Sequence, residues 1–151
     1  MADVSGADRG VSTVVGYVLN LGVALLLVTG LLVATSGFVE QQRHNAVQTQ
    51  LQVVGERLVG DLATADNVAN ASGGGGRAVV RADLPTSVTG QSYTVTVTDV
   101  GGGVTRVRLR ADGGVTVTRR IHTALAATNV TVSGGRLRVV ADGGTLEVSR
   151  D

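Results

Sequence analysis

The chain has 151 residues, a formal charge of +1, 43% apolar and only 2% aromatic residues, and no cysteine. This excludes a disulfide framework, a thiolate metal site, a cysteine nucleophile and a lipid-modified cysteine, and it provides neither bulk charge nor broad stacking surface for nucleic acid. The mean hydropathy of +0.27 is high for this length, and the excess lies in one block near the N-terminus.

No charged residue occurs between Arg9 and Glu40. Roughly 20 apolar residues cross a ~30 Å hydrocarbon layer as a helix, so residues 11–39 are predicted to form a transmembrane helix. A cleaved signal peptide competes, because Ala34, Thr35 and Ser36 supply small residues at a possible cut before Gly37. Against it, the apolar run exceeds the roughly 7–15 residues of a signal-peptide core. The preceding segment is not basic either: Asp3 and Asp8 outnumber Arg9. Inside the span, Gly16, Asn20 and Ala24 fall at i, i+4 and i+8, and Gly30 and Ala34 form a small-xxx-small pair. Such faces let helices approach closely, and an intramembrane Asn can hydrogen-bond a neighbour.

The stretch from Arg9 to Leu19, with Gly10, Val11, Ser12, Val14, Val15 and Gly16 in the matching positions, resembles the processing region of archaeal type IV pilins, especially those of halophilic archaea. A polar leader, a basic and a small residue precede a hydrophobic helix in that family. The resemblance implies cleavage by a prepilin peptidase between Gly10 and Val11, with the helix retained. Thr13 stands where the family usually has proline. Val15 stands where the bacterial form has glutamate, so the bacterial assembly chemistry does not carry over.

Residues 40–72 change to an amphipathic pattern. Val47, Leu51, Val54, Leu58, Leu62, Ala65 and Val68 recur every three or four positions, with Gln48, Gln52, Glu56, Arg57, Asp61 and Asp66 among the polar remainder. This predicts a helix, weakened at Gly55 and Gly60 by roughly 1 kcal/mol each. Its stripe requires a partner surface, either the chain's own head or a neighbouring subunit. The run Gly73 to Gly76 reads as a flexible linker; no Gly-Lys-Ser/Thr follows it, so it is no phosphate loop.

Residues 77–151 alternate with period two, as in Tyr93, Val95, Val97 against Thr94, Thr96, Thr98. Half-buried strands give this alternation. Asp112-Gly-Gly and Asp142-Gly-Gly are hairpin-turn signals, and segments 107–119 and 137–149 resemble one another at an offset of 30, as two copies of a hairpin. The predicted fold is α+β: a long N-terminal hydrophobic helix continuing into an amphipathic helix, packed on a small antiparallel β-meander head. The predicted divisions are a leader (1–10), transmembrane helix (11–39), amphipathic helix (40–72), Gly linker (73–76) and β domain (77–151).

No catalytic constellation stands out. His44 and His122 lie far apart without nearby acids at ligand spacing, and there is no Gly-x-Ser-x-Gly or His-Glu-x-x-His motif. No metal or cofactor is expected, and no enzyme activity. Arg106, Arg108 and Arg110, echoed by Arg136 and Arg138, make a basic strand face. Such a face either binds an anionic polymer or acidic partner, or is a solvated surface that discourages sheet stacking. Asn70-Ala-Ser and Asn129-Val-Thr are N-glycosylation acceptor sequons, which if used place the head outside the cell. Arg9 and Arg43 flank the span on opposite sides, so the charge rule does not set its orientation.

Together with the resemblance, these readings lead to the expectation of a pilin-like subunit, anchored in membrane lipid and assembling with other pilin-like subunits through its N-terminal helix. The alternative is a membrane-tethered or secreted β-domain binding module without filament assembly.

Overall fold

The computed structural model describes residues 5–73 and 76–151. The chain divides into two units, Met1–Gln42 and Arg43–Asp151. One helix, α1 (Ser5–Ala71), contributes to both. The chain's single proline is Pro85, so no ring interrupts the i→i−4 ladder of α1. The helix stops where Gly73, at φ +78°, donates its N–H to the Asn70 carbonyl at 3.1 Å, a left-handed glycine closing the last turn. Of the expected linker, Gly74 and Gly75 lie outside the described residues.

In the second unit the buried stripe of α1 comprises Val47, Leu51, Val54, Leu58, Leu62, Ala65 and Ala69. Val68, expected to end this stripe, is instead 50% exposed. Ala69 takes its place, because a four-residue step from Ala65 stays on the buried face where a three-residue step leaves it.

The two helix glycines differ. Gly60 is exposed, and a Cβ there would meet nothing within 4 Å. Gly60→Ala is therefore expected to raise stability by up to about 1 kcal/mol in denaturant melts. Gly55 is buried, and a Cβ there would lie 3.2 Å from Leu109 Cδ1. Its missing side chain is what lets the helix lie this close to the sheet.

Among the described residues nine strands follow: β1 (Ala78–Asp83), β2 (Ser87–Val88), β3 (Gln91–Gly101), β4 (Val104–Ala111), β5 (Thr116–His122), β6 (Ala126–Ala127), β7 (Val130–Ser133), β8 (Arg136–Asp142) and β9 (Thr145–Arg150). They form two sheets, one ordered β1-β8-β9-β6 and one ordered β2-β3-β4-β5 with β7 also paired to β3. The α+β class expected from the sequence is observed. The connectivity goes beyond a meander: β1 pairs with the distant β8, and β6 joins β9 in parallel. Val95, Val97, Val107 and Leu109 from one sheet and Leu137, Val139, Leu146 and Val148 from the other share a single core with the helix stripe.

The two repeated hairpins close differently. At Asp112 the loop has three residues: Ala111 N–H donates to Val115 O at 2.9 Å, and Gly114 sits at φ +86°. At Asp142 the pair Asp142↔Thr145 leaves a two-residue turn, with Gly143 and Gly144 both at positive φ, which is the primed-turn signature. One residue more or less in a loop reverses strand phase. Hence Val117 is buried in the first copy, while Leu146 and Val148 are buried in the second. The offset of 30 holds through the turn and becomes 31 in the return strand, where Val117 corresponds to Val148.

Candidate functional site

The first unit is described by what its own chain leaves uncovered. From Thr13 to Gln42 every side chain is exposed, those of residues 35 and 36 not being described. Val14, Val18, Leu19, Leu25, Leu26, Leu31 and Leu32 are each 50% exposed or more. This helix segment is long and apolar enough to cross a membrane, with a mean hydropathy of 2.3 in its most apolar window. Water is an unfavourable solvent for such a surface, at roughly 25 cal/mol per Å² of apolar area.

Gly16, Asn20 and Ala24 lie along one side of this segment at one-turn spacing, and Gly30 and Ala34 do so further on. A Cβ at Gly16 or Gly30 would meet nothing within 4 Å. Thr29 satisfies its hydroxyl internally, donating to Leu25 O at 2.8 Å. The Asn20 carboxamide brings two donors and an acceptor to an apolar face. Gly10 and Val11 lie within α1.

In the second unit, polar contacts tie α1 to the β structure. Asp66, placed by the sequence pattern on the polar side of the helix, is instead only 5% exposed. Its Oδ2 accepts from Ala124 N and its Oδ1 from Leu125 N, both at 2.9 Å. Those two residues lie in the crossover by which the chain leaves one sheet for the other. Beside it, the buried hydroxyls of Thr105 and Thr123 bond each other at 2.9 Å. Gln50 Oε1 receives both the N–H and the hydroxyl of Thr89, which stands at φ +47°, an unusual setting for a β-branched residue. Arg119 pairs with Glu56.

Burial pushes the Asp61 carboxyl above its ordinary value, with the Arg57 guanidinium opposing. A raised carboxyl pKa favours folding at low pH, and that contribution is lost as pH rises through the carboxylate range. Asp61→Asn is therefore expected to stabilise the protein at pH 7 and to change nothing below the unfolded pKa near 3.9, as pH-dependent melts would show.

His44 lies exposed on α1, and His122 lies exposed at the end of β5. Among the described residues no group of three or more His, Asp or Glu side chains converges to hold a metal. Asn70 is exposed in the last turn of α1. Asn129, also exposed, accepts from Asp99 N at 2.8 Å through Oδ1. An apolar groove lies between α1 and the segment leading into β2, with Val53, Val54, Pro85 and Val88 in its wall.

Arg106, Arg108 and Arg110 share the outer face of their sheet with Thr94, Thr96, Thr98 and Arg120. Arg136 and Arg138 belong to the other sheet, where Arg138 lies opposite Arg81 and Arg136 opposite Asp83. The two arginine groups are thus separate surfaces.

Fold and surface define an α+β protein with a small β head and one N-terminal helix long and apolar enough to span a bilayer. The chain belongs to a family of unknown function (DUF7266), whose profile matches residues 6–150. No curated protein and no solved structure matches it.

Proposed function

We propose that this protein is a pilin-like structural subunit, a minor pilin or pseudopilin, held in the membrane by its N-terminal helix and assembled through that helix into a surface filament or secretion-like complex. The carrying observation is the apolar segment beginning at Thr13, none of whose described side chains is covered by its own chain. A surface of this kind requires lipid or other helices around it. The resemblance of residues 9–19 to the archaeal prepilin processing region selects a filament subunit from among membrane-anchored proteins.

Assembly on this reading exchanges one apolar environment for another, with lipid around the helix replaced by neighbouring helices. Gly16, Ala24, Gly30 and Ala34 permit close approach, and Asn20 hydrogen-bonds across the contact. The head faces the cell exterior, where Asn70 and Asn129 are available for glycosylation, and its role is structural rather than catalytic. Prepilin peptidase acts between Gly10 and Val11.

The intact mass and N-terminal sequence of the protein from its own cells test this proposal. A mature chain starting at Val11 with the helix retained is the expected result. A start at Gly37 overturns it and leaves a secreted β protein. The absence of cysteine gives a second test: Gly16→Cys or Ala24→Cys is expected to form disulfide-linked dimers in native membranes, and Asn20→Leu to reduce them. A helix that stays monomeric under both conditions would sink the assembly reading.

A further inference from the structure

The outer face of the second sheet carries a row of arginines flanked by hydroxyl side chains. Register places Thr131 and Ser133 of β7, Thr94, Thr96 and Thr98 of β3, Arg106, Arg108 and Arg110 of β4, and Thr116, Thr118 and Arg120 of β5 side by side on it. No carboxylate occupies any of these positions. Among the described residues Arg106, Arg108, Arg110 and Arg120 form no ion pair. Arg106 and Arg120 stand directly opposite each other, as Arg81 and Arg138 do in the other sheet, and like charges so placed oppose strand pairing. Solubility alone would be served equally well by alternating signs.

From this arrangement we propose that the outer face of the β7-β3-β4-β5 sheet is a binding site for an acidic polysaccharide. Along β4 the guanidinium groups repeat about every 6.6–6.8 Å, and the flanking hydroxyl rows lie about 4.8 Å to either side. Guanidinium groups grip carboxylate or sulfate oxygens in pairs. Threonine hydroxyls both donate and accept, so they complement sugar hydroxyls on either side of an anionic row. A single-stranded nucleic acid is less well matched, because no aromatic side chain lies on the face for bases to stack on.

The test uses the full chain in detergent micelles at about 0.15 M salt, with polygalacturonate as the probe. Neutral dextran and an oligothymidylate serve as comparison polymers. Polygalacturonate is expected to bind, with affinity falling as salt rises, and dextran not to bind. The combined variant Arg106→Gln, Arg108→Gln, Arg110→Gln and Arg120→Gln is expected to lose at least about tenfold in affinity and to show a shallower salt dependence, since each arginine removed takes away a charge contact and its counterion release. Its folding is checked by the β-sheet circular dichroism signal. The variant Arg81→Gln, Arg136→Gln, Arg138→Gln and Arg150→Gln removes equal charge from elsewhere and is expected to bind normally. Thr94→Val with Thr98→Val is expected to weaken polygalacturonate several-fold. Equal losses from both arginine sets, or none from the first, overturn the site. An unchanged affinity in the threonine variant, or tighter binding of oligothymidylate, overturns the polysaccharide reading.

Discussion

Replacing Asp66 by alanine is expected to lower the stability of the head by about 3–5 kcal/mol, since two hydrogen bonds to a carboxylate are lost together and each such bond is worth about 1.5–3 kcal/mol. The buried carboxylate accepts from Ala124 N and Leu125 N at 2.9 Å each. Without it, two backbone donors at a partly buried crossover have no replacement in reach. Asp66→Asn keeps one acceptor and turns an N–H₂ toward the other donor, so it is expected to fall between wild type and Asp66→Ala. Denaturant titration of the detergent-solubilised chain, followed by the β-sheet circular dichroism signal, measures both. A loss under about 1 kcal/mol for Asp66→Ala would mean that water replaces the carboxylate easily. Against a typical domain stability of about 5–15 kcal/mol, a loss of this size is a large share of the total.

The second large effect centres on Tyr93, the largest fully buried side chain. Its hydroxyl donates to Pro85 O at 2.7 Å. A Cβ at Gly134 would fall 2.4 Å from the Tyr93 ring, where no atom fits. Tyr93→Ala is expected to cost about 3–5 kcal/mol, as for other large-to-small aromatic changes. Tyr93→Phe is expected to cost only about 1 kcal/mol, the net worth of one hydrogen bond. Gly134→Ala should be severely destabilising on its own, because either the ring or the strand must move. In the Tyr93→Ala background the same Gly134→Ala change should be nearly neutral, since the added methyl enters the vacated space. A double-mutant cycle reads this coupling directly; additive losses would refute the contact. Burial also pushes the Tyr93 phenol above its ordinary value, with the Gly135 N–H opposing. The neutral phenol therefore favours folding, and that contribution fades as pH rises above about 10.

Much of this architecture was legible from local pattern. An uncharged run flanked by Arg9 and Glu40 admits one solution in lipid, a helix that satisfies its own backbone. The three-and-four spacing from Val47 to Ala65 and the period-two alternation after residue 77 each commit a segment to one element type and one buried face. The Asp-Gly-Gly turns and the offset of 30 between hairpins were likewise visible, because turn chemistry is local. The apolar helix surface follows from composition alone, and so does the list of small residues along it.

Which polar residue faces the core is a different kind of information. Asp66 and Asp61 carry the same side chain on the same helix. Asp66 alone meets two backbone donors from a loop nearly 60 residues away, and nothing in the local sequence marks it. The same holds for Gly55, a weak helix residue by propensity whose role is set by Leu109 across the interface. The pairing of β1 with β8 and the parallel seat of β6 beside β9 depend on which edges remain open once the hairpins have formed. The arginine–threonine face likewise exists only through register: alternation put Arg106, Arg108 and Arg110 on one side of a strand, but strand pairing alone set Arg120 opposite Arg106 and assigned Arg136 and Arg138 to another sheet. Periodicity determines which side of an element is buried, because that follows from backbone geometry at short range. What that side meets is decided by contacts between segments far apart in the chain, and only the assembled tertiary structure contains them.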